Sequence, residues 1–455
     1  MSLRSLASLV ALAALVAGAV PALADDGRGG DRQEPNRPPE VAARPPMGWS
    51  SWSPLRKNIS ESIIEAEAQA MHDSGLQRHG FVYVNIDAGW SNHLDGFGRY
   101  AWNTTKFPDG IPAVAAFVHH LGLKLGIYLL PGIPKGAVAS NSPILGTPFH
   151  AQDIADQTHP GNTVGNNVPN EDAWRIDYGR PGAAAYIQSW ADLLASWGVD
   201  YVKMDFVAPG GGRVRQGVDD RADIEHWHFA LQNTRRPIHL ELSNSISIAE
   251  IGTWKSFANG WRVEGDVECN RTCQPGLLTN FDLKISERFT DVVPWIPFAS
   301  RGGWNDLDSL ELGNGDRDGL TPDERQTTMT LWAIESAPLI LGSDLRSLDA
   351  ADLRLLFNED VIGVDQAGMP AHPLSQATPQ QVWFGQARGG GLVVALFNLA
   401  AAESPVSVRW SDLGLSGRAE ARDLWSHTTV ARGATGFTAT LPPHGSRLLR
   451  VRPRD

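Results

Sequence analysis

The sequence predicts an α/β fold: a (β/α)8 TIM barrel followed by a C-terminal antiparallel β-sandwich. Three observations lead there. Short apolar, β-branched runs alternate with helix-like segments from residue 44 to residue 365, the pattern of a parallel sheet covered by helices. Most of those runs end in a polar residue, where a parallel barrel carries its chemistry. After Asp365 the texture changes to short strand-like runs separated by Gly, Pro, Ser and Asp turns, as in a small antiparallel sandwich. An open doubly wound sheet also alternates strand and helix, but it would carry a Gly-rich phosphate fingerprint after its first strand. None is found, and Gly210-Gly-Gly212 lacks the G-x-G-x-x-G spacing.

Taken in order, the chain opens with the cationic Met1-Ser-Leu-Arg4, an apolar run from Leu6 to Val20 and the small-residue pattern Ala22-Leu23-Ala24. This predicts a signal peptide over 1–24 and hence a secreted protein. The run is short for a membrane span of ~20 residues, so no membrane association is expected after its removal. Residues 25–43 are polar and rich in Pro, Gly and Arg, a disordered linker by composition. The barrel, 44–365, draws strands from Tyr83-Val-Asn-Ile-Asp87, Leu123-Lys-Leu-Gly-Ile-Tyr128, Tyr201-Val-Lys-Met-Asp205, Ile238-His-Leu-Glu-Leu-Ser243, Trp261-Arg-Val-Glu-Gly-Asp266 and Leu339-Ile-Leu-Gly-Ser-Asp344. Between them, residues 60–74 open with Ser and acidic residues, as a helix N-terminus should, and residues 182–197 are rich in Ala and Leu. The sandwich, 366–455, is expected to cover one flank of the barrel rather than to bind sugar.

Composition narrows the function. A chain of 455 residues with a formal net charge of −12 and no Lys/Arg cluster lacks the basic face that nucleic acid demands. Its two cysteines, Cys269 and Cys273, predict a small disulfide loop in an exported protein. They lack the further His or Cys ligands that zinc needs, so no metal is expected. Sixteen tryptophans offer faces against which sugar rings pack, although most buried Trp fill core.

The residues themselves suggest a hydrolase. Cleaving a glycosidic bond with retention needs two carboxyl groups about 5–5.5 Å apart, and two strand ends can supply them. Asp205 closes an apolar strand, with Lys203 on the same face by the period of two and expected to hold it ionised. Asp266 closes another after Arg262, Glu264 and Gly265. A strand-end Asp serves equally as a helix cap or an ion-pair partner, and spacing alone does not select this pair.

Six segments carry a resemblance: Arg44-Pro-Pro-Met-Gly-Trp-Ser-Ser-Trp52, Tyr83-Val-Asn-Ile-Asp-Ala-Gly-Trp90, Lys124-Leu-Gly-Ile-Tyr128, Tyr201-Val-Lys-Met-Asp205, Gly302-Gly-Trp-Asn-Asp-Leu-Asp308 and Ala337-Pro-Leu-Ile-Leu-Gly-Ser-Asp344. In that order, from about residue 44 to 366, they resemble the motif series of the α-galactosidase (melibiase) family, glycoside hydrolase family 27. The resemblance implies a TIM barrel with a β-sandwich behind it, double displacement on a carbohydrate substrate, and no metal or organic cofactor. It implies Asp205 as nucleophile and Asp266 as general acid/base. Trp52, Asp87, Tyr128, Lys203, Ser243, Arg262, Trp304 and Asp306 fall at substrate-binding, rim or supporting positions.

The departures bear on substrate. Where α-galactosidases of the family have a second aspartate gripping the axial 4-hydroxyl, this chain has Ala88, whose methyl accepts no hydrogen bond. At the fifth strand Ser243-Asn-Ser245 replaces a Glu that crowds the 2-position. An α-galactosidase-type hydrolase is therefore expected, with an isomaltodextranase-like α-glucan hydrolase, an α-N-acetylgalactosaminidase and an arabinopyranosidase as alternatives in the same family. An inactive sugar-binding protein is the alternative outside catalysis; it would not need Asp205 and Asp266 together with Lys203 and Arg262.

Overall fold

The computed structural model describes residues 41–162, 172–210, 217–269 and 276–454. Eight parallel strands form the first sheet: β1 (Met47–Ser50), β2 (Tyr83–Ile86), β3 (Lys124–Leu129), β4 (Val199–Met204), β5 (His239–Leu242), β6 (Gly260–Arg262), β7 (Trp304–Asp306) and β8 (Leu339–Leu341). Strands β1 to β7 pair in chain order and β8 pairs with β1. The ring closes beyond β7, where Leu310 forms a parallel bridge to Leu341. This is the expected barrel, with two strands, β1 and β7, that the apolar runs did not announce because Met-Gly-Trp-Ser and Trp-Asn-Asp contain no β-branched residue.

The strands are shorter than their runs. Strand β6 stops at Arg262, so Asp266 stands four residues past the ladder rather than at its last rung. The last bond to β7 runs from Val263 N–H to the Asp306 carbonyl, and the chain bends away over residues 263–265. Both expected helices form. Glu61–Ser74 is capped by the Ser60 hydroxyl, which accepts from Ile63 N–H, and ends at Gly75 in the left-handed region (φ 95°); Ala183–Trp197 follows between β3 and β4.

The barrel interior is partly polar. A Cβ on Gly126 would lie 1.9 Å from Asn85 Oδ1, and one on Gly260 would lie 2.0 Å from Glu241 Oε2, so these glycines make room for polar side chains from the adjacent strands. Tyr201 stacks on His239 at 4.4 Å, and His239 Nε2 lies 2.8 Å from Glu241 Oε2. Burial pushes the Glu241 carboxyl up to about 8 and His239 down to about 3. The contact is therefore a hydrogen bond between neutral groups, not an ion pair.

A six-stranded antiparallel sheet and a two-stranded ribbon follow. They comprise β9 (His372–Ser375), β10 (Gln380–Gln386), β11 (Leu392–Asn398), β12 (Ser404–Arg409), β13 (Arg418–Asp423), β14 (Thr429–Ala434), β15 (Gly436–Leu441) and β16 (Ser446–Arg454). Strands β12 and β15 form the ribbon, and the facing apolar side chains make a core of their own around Trp410, Leu396 and Leu449. The helix Pro322–Ile334, buried along most of its length, joins the sandwich to the barrel. Its Thr327 hydroxyl donates to the His444 carbonyl at 2.6 Å and its Thr330 hydroxyl accepts from Trp425 Nε1 at 3.0 Å.

The predicted signal peptide, nearly all of the linker, and Cys273 of the expected disulfide lie outside the described residues. Among the described residues no helix is long and apolar enough to cross a membrane.

Candidate active site

The C-terminal ends of β1 to β7 converge on one cluster of side chains. Asp87, one residue past β2, is 3 % exposed. Its amide donates to the Ser51 hydroxyl at 2.9 Å, fastening it to the end of β1, and its Oδ1 accepts from Ala88 N–H at 2.7 Å. Oδ2 lies 2.8 Å from Lys203 Nζ. Lys203 is next to last in β4 and stands opposite Tyr128 in the β3 register. Burial opposes the lysine's charge, but the carboxylates of Asp87 and Asp205 outweigh it and hold the ammonium above its ordinary range.

Asp205 follows β4 directly. Its amide donates to the Leu129 carbonyl and its Oδ1 accepts from Phe206 N–H, each at 2.9 Å. The expectation that Lys203 keeps its pKa low is corrected here. Burial raises Asp205 above the usual carboxylate value, Lys203 lowers it only in part, and the charges of Asp87 and Asp266 push it further up. The physical reason is geometric: the ammonium's short contact is spent on Asp87, and Asp205 keeps the lysine as a neighbour rather than as its ion-pair partner.

Arg262, at the end of β6 and 2 % exposed, organises the other side. Its Nη2 lies 3.0 Å from Asp266 Oδ1 and its Nη1 lies 2.9 Å from Asp308 Oδ1. Nη1 also donates to the Ser243 hydroxyl at 3.2 Å. Burial works against this charge too, and the carboxylates of Asp308, Asp266 and Asp306 keep it. Carboxylate oxygens of Asp266, Glu268 and Asp308 lie within 4.8 Å of one another, a grouping that could hold a metal ion. The guanidinium already supplies the positive charge that two of them need.

Of the remaining predicted residues, Trp52 begins a short helix, Trp52–Leu55, directly after β1, with the Arg56 guanidinium 5.1 Å from its ring centre. Tyr128 is 6 % exposed, and its carbonyl accepts from Trp90 Nε1 at 2.9 Å. Ser243, just past β5, is buried against Arg262. Asp306 closes β7; burial and the Glu241 carboxyl push it up to about 7, and its Oδ1 accepts from Asp308 N–H at 2.7 Å. Trp304 departs from expectation. It is the first residue of β7, 1 % exposed, with its Nε1 donating to the Ala42 carbonyl at 2.9 Å. Two residues of strand carry it about 6–7 Å below Asp306, so it packs the N-terminal end of the barrel and does not join the cluster.

Three members went unselected in the sequence. Asp308 falls inside the quoted Gly302–Asp308 motif, where a second carboxyl two residues after Asp306 was the available signal. Glu268 is fully buried, accepts from the Ser53 hydroxyl at 2.5 Å, and is pushed up to about 8 by burial and by the charges of Asp308 and Asp266. Glu241 reads from sequence as one more residue of an apolar strand.

Residues 44–142 and 163–367 match the family described as alpha galactosidase A, and residues 377–451 match the alpha galactosidase C-terminal β-sandwich domain. Alpha-galactosidase 2 of Arabidopsis thaliana is 30 % identical over 414 residues, covering 90 % of this chain and 89 % of its own. Among solved structures, a GH27 β-L-arabinopyranosidase from Geobacillus stearothermophilus superposes with a TM-score of 0.81 at 32 % identity, covering 90 % of this chain and 97 % of the other. The α-galactosidase I of Mortierella vinacea gives 0.70 at 27 % identity, with coverage of 90 % and 97 %.

Proposed function

The chain belongs to glycoside hydrolase family 27, the α-galactosidase family of glycosidases, and from that premise we propose that it is a secreted, retaining α-galactosidase-type hydrolase of terminal α-linked sugars. The observation that carries this reading is the pairing of Lys203 with Asp87 and of Arg262 with Asp266 on either side of Asp205. Asp205 and Asp266 thus have different surroundings and lie close enough to influence each other electrostatically, which supports a double displacement.

In the proposed reaction Asp205 attacks the anomeric carbon while Asp266 gives its proton to the departing glycosidic oxygen. A glycosyl ester of Asp205 forms and the aglycone leaves as an alcohol. Asp266, now a carboxylate, takes a proton from water as the water attacks the same carbon, which frees the sugar and restores both carboxyl groups. Lys203 and Asp87 would bind sugar hydroxyls, Trp52 and Tyr128 would flank the ring, and export would leave Cys269 and Cys273 paired. No step calls for a cofactor.

A second reading has its own support: a solved relative at TM-score 0.81 is a β-L-arabinopyranosidase, whose glycone has the ring stereochemistry of α-galactose without the hydroxymethyl group. Initial rates on nitrophenyl α-galactoside, β-L-arabinopyranoside, α-N-acetylgalactosaminide and α-glucoside, together with dextran, choose between them. Absence of turnover on all five would overturn the assignment.

A further inference from the structure

The geometry points to Asp308 as a positioning residue for the acid/base: one carboxylate that sets both the guanidinium facing Asp266 and the backbone that follows it. This rests on the proposed role of Asp266. Asp266 follows a bend at residues 263–265, outside the sheet, so the barrel ladder alone does not fix its carboxyl group. Something else must hold it.

The candidates are few among the described residues. Lys284 Nζ donates to the Asp266 carbonyl at 2.9 Å, and Arg288 Nη2 donates to the Gly265 carbonyl; both hold backbone oxygens. The Val267 carbonyl accepts from the Thr279 hydroxyl at 2.6 Å. Arg262 spans the bend, its Nε donating to the Glu264 carbonyl at 3.2 Å and its Nη2 to Asp266 Oδ1, and Asp308 engages that guanidinium and the backbone after Asp266 together. Its Oδ1 lies 2.9 Å from Arg262 Nη1, and its Oδ2 accepts from Val267 N–H at 2.8 Å. Arg262 in turn reaches Asp266 Oδ1. Asp308 itself is 7 % exposed and sits in the left-handed region at φ 80°. It is held from β7 by its N–H to Asp306 Oδ1, and its carbonyl accepts from Trp332 Nε1 at 3.1 Å. A residue held at both ends of its backbone in an unfavourable φ is a rigid mount for its carboxylate. Strand β7 is thereby coupled to a carboxyl group beyond β6.

An amide cannot do the same. In Asp308→Asn the side-chain oxygen can serve one donor, and the NH2 then faces the other, so either the guanidinium or the Val267 amide loses its partner. Misplacing a reacting group by about 1 Å is worth about a hundredfold in rate. The loss should fall on the step that needs the acid. For methyl α-galactoside, a poor leaving group, kcat/KM of Asp308→Asn should drop about 30- to 100-fold. For 2,4-dinitrophenyl α-galactoside, whose departure needs no proton, kcat/KM should stay within about threefold. Added azide should not rescue the variant, because the Asp266 carboxylate still occupies the anion's place.

The charge around Asp266 gives an independent readout. It faces Arg262 and Glu264 on its own segment, Asp205 from β4, Asp308 from beyond β7, buried Glu268, and Lys284 and Arg288 from the helical segment at 281–291. Removing the charge of Asp308 takes away a repulsion and leaves Arg262 with one carboxylate fewer to share its charge with. Both changes favour ionised Asp266, so the basic limb of kcat/KM should move to lower pH.

The test compares Asp308→Asn and Asp308→Glu with Asp266→Ala, each checked for its thermal transition; the longer carboxylate keeps both acceptors but displaces them, so Asp308→Glu should show the same split between substrates if Asp308→Asn does not fold. Equal losses on both substrates in the folded variants, or no loss, with Asp266→Ala still losing only the poor substrate and gaining azide rescue, would overturn the positioning role. Equal losses on both substrates in Asp266→Ala, without azide rescue, would instead overturn the acid/base assignment beneath it.

Discussion

Replacing Lys203 with Met tests how Asp205, the proposed nucleophile, is held ionised. The two side chains are similar in length and unbranched, so packing changes little while the ammonium vanishes. At 2.8 Å from Asp87 Oδ2, the ion pair has a gross attraction of about 6 kcal/mol at an effective dielectric constant near 20. Desolvation offsets part of that, and breaking a buried pair typically destabilises by about 3–5 kcal/mol. Because Lys203 retains 21 % side-chain exposure against 4 % for Asp87, the lower figure is expected. The effect on Asp205 is more specific. Lys203 is the foremost influence lowering its pKa, while burial, Asp87 and Asp266 raise it. An opposite charge near a carboxylate shifts it by about 1–3 units. The repulsions from Asp87 and Asp266 remain in the variant, so the net rise should be at least about 1 unit. Asp205 must be ionised to attack, so the acid limb of kcat/KM, which reports the free enzyme, should move up by about that amount. The assay is the normalised pH profile on a dinitrophenyl glycoside, whose departure does not depend on the acid. A limb that stays in place, or moves to lower pH, would refute the electrostatic account of Lys203.

Asp205→Asn should lower turnover by at least about a thousandfold while leaving the far-UV spectrum and thermal midpoint nearly unchanged, since the amide matches the shape but is a poor nucleophile; retained activity would move the nucleophile elsewhere. Ala88→Asp should raise the ratio of α-galactoside to α-glucoside kcat/KM by about 5- to 150-fold, the equivalent of about 1–3 kcal/mol for one hydrogen-bond partner, and an unchanged ratio would remove position 88 from the glycone site. Stability should fall as pH rises from 5 to 8. Burial pushes Glu67, Glu241 and Glu268 up to about 8 and Asp306 and Asp318 to about 7, so each contributes stability that is complete below its unfolded value near 4 and is lost as pH passes through the folded value. Thermal melts at constant ionic strength check this, and a midpoint that rises across the window would contradict it.

What the sequence determined by itself was the alternation of strand and helix, the barrel and sandwich it builds, and the family, because these are written in local patterns: apolar periodicity, turn residues, and motif segments that stay contiguous in the chain. The helix Glu61–Ser74 could be read nearly to the residue, since its cap Ser60 and its terminator Gly75 are local signals. Tertiary structure decided the rest. Strands β1 and β7 were hidden because neither contains a β-branched residue, and β6 ended early because the register with β7, not composition, sets where the ladder stops. Trp304 and Asp306 are two residues apart in one motif, yet parallel strand direction sends one to the floor of the barrel and the other toward the cluster. Which carboxylate Lys203 pairs with could not be read either. Asp205 lies two residues away and Asp87 more than a hundred, and only barrel closure brings Asp87 nearer to the ammonium. The same long-range geometry brings Asp308 to Arg262 and so to Asp266: ionic contacts form by distance in space, which a one-dimensional pattern does not encode.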